Sequence, residues 1–207
     1  IEDKWQKAWE KAKAFEPLTD SKRKKLFITV PYPYTSGPLH NGHGRTYTIA
    51  DVYVRFQRMQ GLNVLWPMSF HITGTPILAV SKSLAQADKE AVKTYEEYVG
   101  LYETDKHKVK KILESFVEPQ KVADFFADVI IHDFKSLGFS IDWSRRFTTG
   151  DSEYNKFIEW QFYRLKDLGL ITKGTHPVLY CVNDKNAVGE DDIQNGDTIE
   201  PGIDEYT

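Results

Sequence analysis

Residues 31–43 constrain this chain more than any other stretch. They read Pro31-Tyr32-Pro33-Tyr34-Thr35-Ser36-Gly37-Pro38-Leu39-His40-Asn41-Gly42-His43, too rich in Pro and Gly for a strand or a helix interior. What flanks them is regular. Leu26-Phe27-Ile28-Thr29-Val30 is apolar, partly β-branched and bounded by Pro31, which predicts a buried strand. Beyond the loop, Ile49, Tyr53, Phe56 and Met59 recur on one helical face, with Arg45, Arg55 and Arg58 elsewhere, until Gly61 stops the helix. Asn63-Val64-Leu65-Trp66 predicts a second strand, closed by Pro67. Strand, loop, helix and strand make a βαβ unit, so the expected class is α/β with a parallel sheet.

The rest of the chain is mainly helical. Ile1, Trp5, Ala8, Trp9 and Ala12 make an amphipathic N-terminal helix, expected to end at Glu16-Pro17. Pro76 to Ala85 reads as a helix with Pro in its first turn, and residues 86–137 are charged and helical. Val122, Phe125, Phe126, Val129, Ile130, Phe134 and Leu137 give this region a strong apolar face. Gly138 to Trp143 is a short extended piece. A helix follows from about Tyr154 to Leu168, ended by Gly169, then strands at Leu170–Lys173 and Pro177–Val182. From Gly189 the chain is acidic and lacks Lys and Arg.

Composition excludes several function classes. The 207 residues carry a net charge of -3, so any RNA contact must be local. Ser21-Lys22-Arg23-Lys24-Lys25 is either a solvated loop or such a patch. The single cysteine, Cys181, rules out a disulfide scaffold and a Cys-based zinc cluster, and a reducing, cytoplasmic setting is expected. No run approaches the ~20 apolar residues that span a bilayer, so no membrane partner is expected. The chain opens at Ile1, already in a helical pattern, with neither an initiator Met nor a secretory leader, which suggests trimmed edges.

His40-Asn41-Gly42-His43 sits between a strand and a helix N-terminus, where open α/β sheets bind ligands. Helix N-termini present free N–H groups and partial positive charge, which suits phosphate. Gly42 would let a nucleotide approach the backbone, while His40 and His43 could each aim an N–H at a phosphate oxygen. Two other readings stay open: histidines in a plain surface turn, and a His-x-x-His chelate joined by His71. The chelate lacks a Cys or nearby carboxylate to complete its ligand set, so no metal ligand is assigned.

The stretch from Tyr32 to His43 resembles the HIGH-motif region of class I aminoacyl-tRNA synthetases. The likeness continues through Arg45–Asp51, Arg58–Leu65, Gly138–Arg145, Glu159–Phe162 and Gly169–Gly174, nearly the whole chain. Within the class the sequence looks like the leucyl type of archaea and eukaryotes. The distinguishing stretch is Pro67 to Pro76, where His71 stands at a position that bacterial leucyl and several sister enzymes give to an Asp. That Asp holds the substrate ammonium. Asn183 to Asp192 resembles the same type's entry into its editing insertion.

The resemblance implies the first half of a Rossmann-like parallel sheet with a helical insertion. Its parts would be residues 1–75 with the motif at 33–43, an insertion at 76–137, a continuation at 138–183, and the start of the editing insertion at 184–207. The implied activity is ATP-dependent leucine–tRNA ligation, with leucine, ATP and leucine tRNA as partners and Mg²⁺ carried on the ATP phosphates. His40 and His43 match the catalytic motif histidines. Asn41 and Gly42 join them in binding ATP, and Tyr32, Tyr34 and His71 shape the amino-acid pocket. Trp143 and Trp160 read as core, and Asp142 with Arg145 as a pair or cap. The family's Lys-Met-Ser-Lys-Ser motif is not in these residues. The chain therefore reads as an N-terminal part, expected to be inactive alone. A complete small-molecule nucleotidyltransferase and a non-catalytic synthetase-like binding module are the alternatives.

Overall fold

A computed structural model describes residues 1–19, 22–182 and 185–189. The elements run α1 (Glu2–Ala12), β1 (Lys25–Phe27), α2 (Asn41–Met59), β2 (Asn63–Leu65), β3 (Pro67–Phe70), α3 (Thr75–Ala85), α4 (Lys89–Gly100), α5 (Lys106–Ser115) and α6 (Pro119–Ser136). Then follow β4 (Asp142–Thr148), α7 (Ser152–Asp167), β5 (Tyr180–Cys181) and β6 (Asn186–Ala187). The chain divides into two compact units, residues 1–157 and 158–207.

The first unit contains the expected βαβ unit. β1 and β2 pair in parallel, Lys25 opposite Asn63 and Phe27 opposite Leu65. β3 pairs in parallel with β4. Consecutive carbonyls of an extended chain point to opposite edges. The Leu65 carbonyl accepts from Ile28 N–H and the Trp66 carbonyl from Asp142 N–H, each at 2.9 Å. Residues 63–70 are thus flanked by β1 on one edge and β4 on the other.

Two expectations change here. The first strand ends at Phe27; Ile28 still donates its N–H to Leu65 of β2, while Val30 is half-buried against the core beyond the strand. Pro67 opens β3 instead of closing the sheet. It needs no N–H of its own there, because the first residue of a strand is a place a sheet tolerates proline.

Two apolar cores fill the first unit. One lies on the sheet and gathers Tyr47, Val54, Val64, Trp66, Met68, Phe70, Ile130, Phe134, Phe139 and Ile141. The other lies within helices α3–α6 around Ile77, Val99, Phe116, Val122, Phe126 and Val129. Ile72 packs against both. The apolar face of α6 is buried as its spacing predicts, except that Leu137 at its C-terminus is exposed.

Helix α1 stops at Ala12, before the expected Glu16-Pro17. Lys13 takes a left-handed conformation, φ 51°, and Ala14 N–H returns to the Trp9 carbonyl. That turn folds Phe15 back onto Trp9, ring centres 5.5 Å apart. The Arg55 guanidinium sits over both rings and that of Arg58 over Phe15, at 5.3–5.5 Å.

Helix α2 turns an unexpected face inward. Tyr47, Asp51 and Val54 are its buried residues, while Ile49, Tyr53, Phe56 and Met59 are exposed, Met59 by 82%. The buried side joins apolar packing, with Tyr47 and Val54 in the sheet core, to a charged cluster. Asp51 Oδ1 accepts from Ser140 N–H and Oγ at 2.7 and 2.6 Å, and Oδ2 from Arg55 Nε at 2.7 Å. Arg58 donates to the Ser140 carbonyl at 2.8 Å and the Phe15 carbonyl at 3.1 Å, and Arg55 also donates to the Gly138 carbonyl. Burial, with Arg55 nearby, pulls Arg58 down to about 10, against the opposing pull of Asp51 and Asp142. Further along, Arg145 pairs with the buried Asp142 at 3.4 Å, and Trp143 stacks on Phe134, as expected.

In the second unit α7 continues to Asp167, and Gly169 follows it at φ 69°. Trp160 is 58% exposed, which corrects its reading as core. Residues 170–179 form no strand, and only Tyr180–Cys181 pairs, antiparallel with Asn186–Ala187. β-propensity needs a neighbouring ladder to become a strand. The acidic run from Glu190, and Asn183 and Asp184 before it, lie outside the described residues, as does Ser21 of the basic run. Among the described residues no helix is long and apolar enough to cross a membrane.

Asp51→Ala should leave the Arg55 guanidinium and the Ser140 N–H and hydroxyl without their carboxylate. The expected loss is about 3 kcal/mol of unfolding free energy, read by urea denaturation. Ile49→Ser on the exposed face of the same helix should cost less than about 0.5 kcal/mol in the same assay.

Candidate active site

The loop after β1 returns to the sheet at Tyr34, which bridges His71 in parallel just beyond β3. His71 N–H donates to the Pro33 carbonyl at 2.9 Å, and the Tyr34 and His71 rings lie 4.1 Å apart. Two residues expected in the amino-acid pocket therefore meet at the C-terminal end of the sheet, where α/β folds bind ligands. Tyr34 is 44% exposed, so its ring faces open space rather than core. Tyr32 behaves differently. It is half-buried, meets Phe147 edge-on at 5.5 Å and packs on the sheet core. Its hydroxyl lies 3.5 Å from Thr29 Oγ1.

His40 is the N-cap of α2. Gly42 N–H donates to His40 Nδ1 at 3.0 Å, and His40 N–H donates to His43 Nδ1 at 3.3 Å. The imidazoles thus do the work that Ser and Glu side chains do in a capping box. The rings lie 4.0 Å apart. Since both Nδ1 atoms accept, each neutral ring carries its proton on Nε2, a tautomer assigned from the hydrogen-bond pattern. Two Nε2–H donors are left free at a helix N-terminus, an arrangement fitted to phosphate oxygens.

Gly42 has a reason the sequence did not reveal. A Cβ there would stand 2.7 Å from Cε1 and 2.9 Å from Nδ1 of His40, so the glycine makes room for the capping ring itself. Asn41, the first helical residue, is exposed.

Behind the histidines, Tyr47 is buried and donates to the Pro31 carbonyl at 2.7 Å, tying the first turns of α2 to the start of the loop. Burial pushes its hydroxyl up to about 12, so it remains a donor at neutral pH. His43 is pulled below 6.5, first by burial and then by the neighbouring charge of His40.

Sequence reasoning missed the support beneath His71. Ile72 N–H donates to Thr149 Oγ1 at 3.0 Å, Thr73 Oγ1 lies 3.2 Å from the same atom, and Gly150 abuts Ile72. Thr148 N–H and Oγ1 both bind the Asp151 carboxylate, which makes this turn rigid. The signal was the Thr148-Thr149-Gly150-Asp151 turn closing a strand. Among the described residues, no three His, Cys, Asp or Glu side chains come together to hold a metal ion.

A strand, a loop, and a helix opened by paired histidines at the end of a parallel sheet define an α/β domain with an open helix N-terminus at the sheet's C-terminal end. The family described as tRNA synthetases class I (I, L, M and V) matches residues 4–205, and the chain belongs to it. More narrowly, it is 50% identical over its full 207 residues to a leucine–tRNA ligase of Staphylothermus marinus, and 51% identical over 208 residues to that of Thermoplasma acidophilum. It spans 21% and 22% of those proteins, about a fifth of their length. Its fold is similar to that of the Agrobacterium radiobacter K84 agnB2 LeuRS in a ternary complex with tRNA and LeuAMS. The TM-score is 0.65 at 23% identity, over 90% of this chain and 20% of that one.

Gly42→Ala should push the His40 ring off its cap and return His40 to a mixture of tautomers, seen in ¹⁵N shifts of its ring nitrogens. The cap also depends on pH. A protonated Nδ1 cannot accept, and the folded state holds His43 below its ordinary value. The cap's contribution should therefore be complete above pH 6.5 and lost as pH falls through the lowered value. Faster amide exchange at residues 40–43 below that point, with the sheet core unchanged, is the expected result.

Proposed function

We propose that this chain is the N-terminal part of an ATP-dependent leucine–tRNA ligase. The observation that carries the reading is the pair of mutually capped histidines, His40 and His43, at the start of α2, in a chain half identical to leucine–tRNA ligases. In the first step a leucine carboxylate oxygen attacks the α-phosphorus of ATP. The bond to the β-phosphate breaks, and pyrophosphate leaves. His40 and His43 donate from Nε2 to phosphate oxygens as charge builds, a preorganised stabilisation that costs no rearrangement. Asn41 and Gly42 line the nucleotide's path. In the second step a hydroxyl of the tRNA's terminal adenosine attacks the leucyl carbonyl and AMP leaves.

The amino-acid pocket is assigned to Tyr34 and His71, with Tyr32 as its inner wall. A neutral His71 accepts from the leucine ammonium, and the aromatic faces suit a branched aliphatic side chain. Mg²⁺ is assigned to the phosphates and waters of ATP, which is how it binds when no carboxylate cage is offered. Residues 1–75 and 138–183 are read as the first half of the catalytic sheet, 76–137 as a helical insertion and 184–207 as the start of the editing insertion. The exposed apolar stripe Ile49, Tyr53, Phe56 and Met59 supports a larger surrounding structure. The setting is read as the cytoplasm, where leucine, ATP and leucine tRNA meet.

The test is leucine-dependent ATP–pyrophosphate exchange by the full-length gene product, with isoleucine, valine and methionine as competitors. Exchange specific to leucine is expected, and none from residues 1–207 alone, which lack the Lys-Met-Ser-Lys-Ser motif. Adenylylation of a phosphorylated cofactor precursor instead, or ATP binding without any transfer, would overturn the reading. In the full-length protein, His43→Ala should lower adenylate formation by roughly 2–4 kcal/mol of transition-state energy and change leucine affinity little.

A further inference from the structure

The helical unit α3–α6 reaches the site at two places. One is covalent: α3 begins at Thr75, four residues beyond His71, and Ile72 packs into both cores. The other is a contact across sequence. Tyr95, in the middle of α4, donates its hydroxyl to the Ser36 carbonyl at 2.7 Å. One turn along, the Tyr98 ring lies 3.4 Å from where a Cβ on Gly37 would stand. The Ser36–Gly37 segment thus rests on two tyrosines of a unit with its own apolar core.

The Tyr95 ring is firmly held. It meets Tyr98, Phe116 and Phe126 edge-on, with ring centres 5.4, 6.4 and 6.0 Å apart. Burial first, and the nearby Tyr98, push its hydroxyl well above the usual tyrosine range, so it stays a donor. Ser36 stands between Tyr34, which meets His71, and His40, which caps α2. Residues 35–39 have no strand or helix ladder to fix them. Leu39 packs on the sheet core, and the hydrogen bond from Tyr95 adds a directional tie to the middle of the segment, between an end bridged to His71 and an end fixed by the α2 cap.

We propose that Tyr95 is a positioning residue: through the Ser36 carbonyl it holds the loop that carries Tyr34 and His40, making the helical unit a brace for the site. What the loop does in chemistry rests on the function proposed above. Nothing in the sequence marks Tyr95 for this role, because its spacing with Tyr98 and Val99 reads as an ordinary helix face.

Tyr95→Phe in the full-length protein removes the hydroxyl and keeps every ring contact. Deuterium uptake at the His40 amide, which donates to His43 at the loop's end, should become up to about fivefold faster, the size of one lost hydrogen bond, with α4 unchanged. Leucine-dependent exchange should show kcat lowered by a similar factor. Tyr102→Phe is the control. It removes a 2.8 Å bond to Asp133 inside the same helical unit and should leave residues 34–40 untouched. Unchanged uptake in Tyr95→Phe, or equal loosening in Tyr102→Phe, would overturn the brace. A loosened loop with unaltered kcat would overturn its part in positioning. If the wild-type protein performs no leucine-dependent exchange, the functional reading fails while the uptake measurement still decides the brace.

Discussion

The carboxylate of Asp51 is the constraint on which the first unit depends. One side chain, mostly out of solvent, accepts from the backbone and side chain of Ser140 and from Arg55 of its own helix. Arg58 and Arg55 extend the set to Phe15, Gly138 and the Ser140 carbonyl. The N-terminal segment, helix α2 and the approach to β4 are thereby joined at one point. Charged hydrogen bonds are directional, so they fix the rotation of α2 about its axis, which apolar contacts alone do not. Rotation of α2 in turn decides where its first turn points, and that turn is the candidate active site.

The site is held by small, local devices. Two imidazoles satisfy backbone donors that a helix start leaves over, and in doing so leave their Nε2–H groups outward. Tyr47 ties the helix to the loop's beginning, Tyr34 and His71 close its middle onto the sheet, and Tyr95 supports the segment between Tyr34 and His40. Thr149 and Gly150 back the strand end that carries His71. The Tyr95 and Thr149 contacts join elements distant in sequence, so a substitution far along the chain can move the loop.

Much of this was legible before any coordinates. Proline and glycine density marked the loop, β-branched residues and periodicity marked the βαβ unit, and His40-Asn41-Gly42-His43 stood out by its place before a helix. The misreadings share a cause. Ile49, Tyr53, Phe56 and Met59 form the more obvious apolar stripe of α2, yet the inward face is the one where Tyr47 and Val54 meet the sheet core and Asp51, Arg55 and Arg58 find fixed partners. Pro67 looked like a terminator because only its missing N–H was visible, not β4, which the neighbouring Trp66 carbonyl meets. Trp160 looked like core on hydrophobicity alone. Tyr95 and Thr149 were invisible because their partners are backbone atoms far away in sequence.

The sequence by itself determined the class of fold and marked the place of the candidate site with its two histidines, since these follow from local sterics, turn chemistry and helix capping within a few dozen residues. Tertiary structure alone decided which face of α2 is buried and what supports the loop between Tyr34 and His40. Those outcomes depend on pairings between groups roughly 60 to 90 residues apart, such as Ser36 with Tyr95 and Asp51 with Ser140. Pattern and propensity cannot encode which distant donor reaches which acceptor, because that is fixed only when the whole chain has packed.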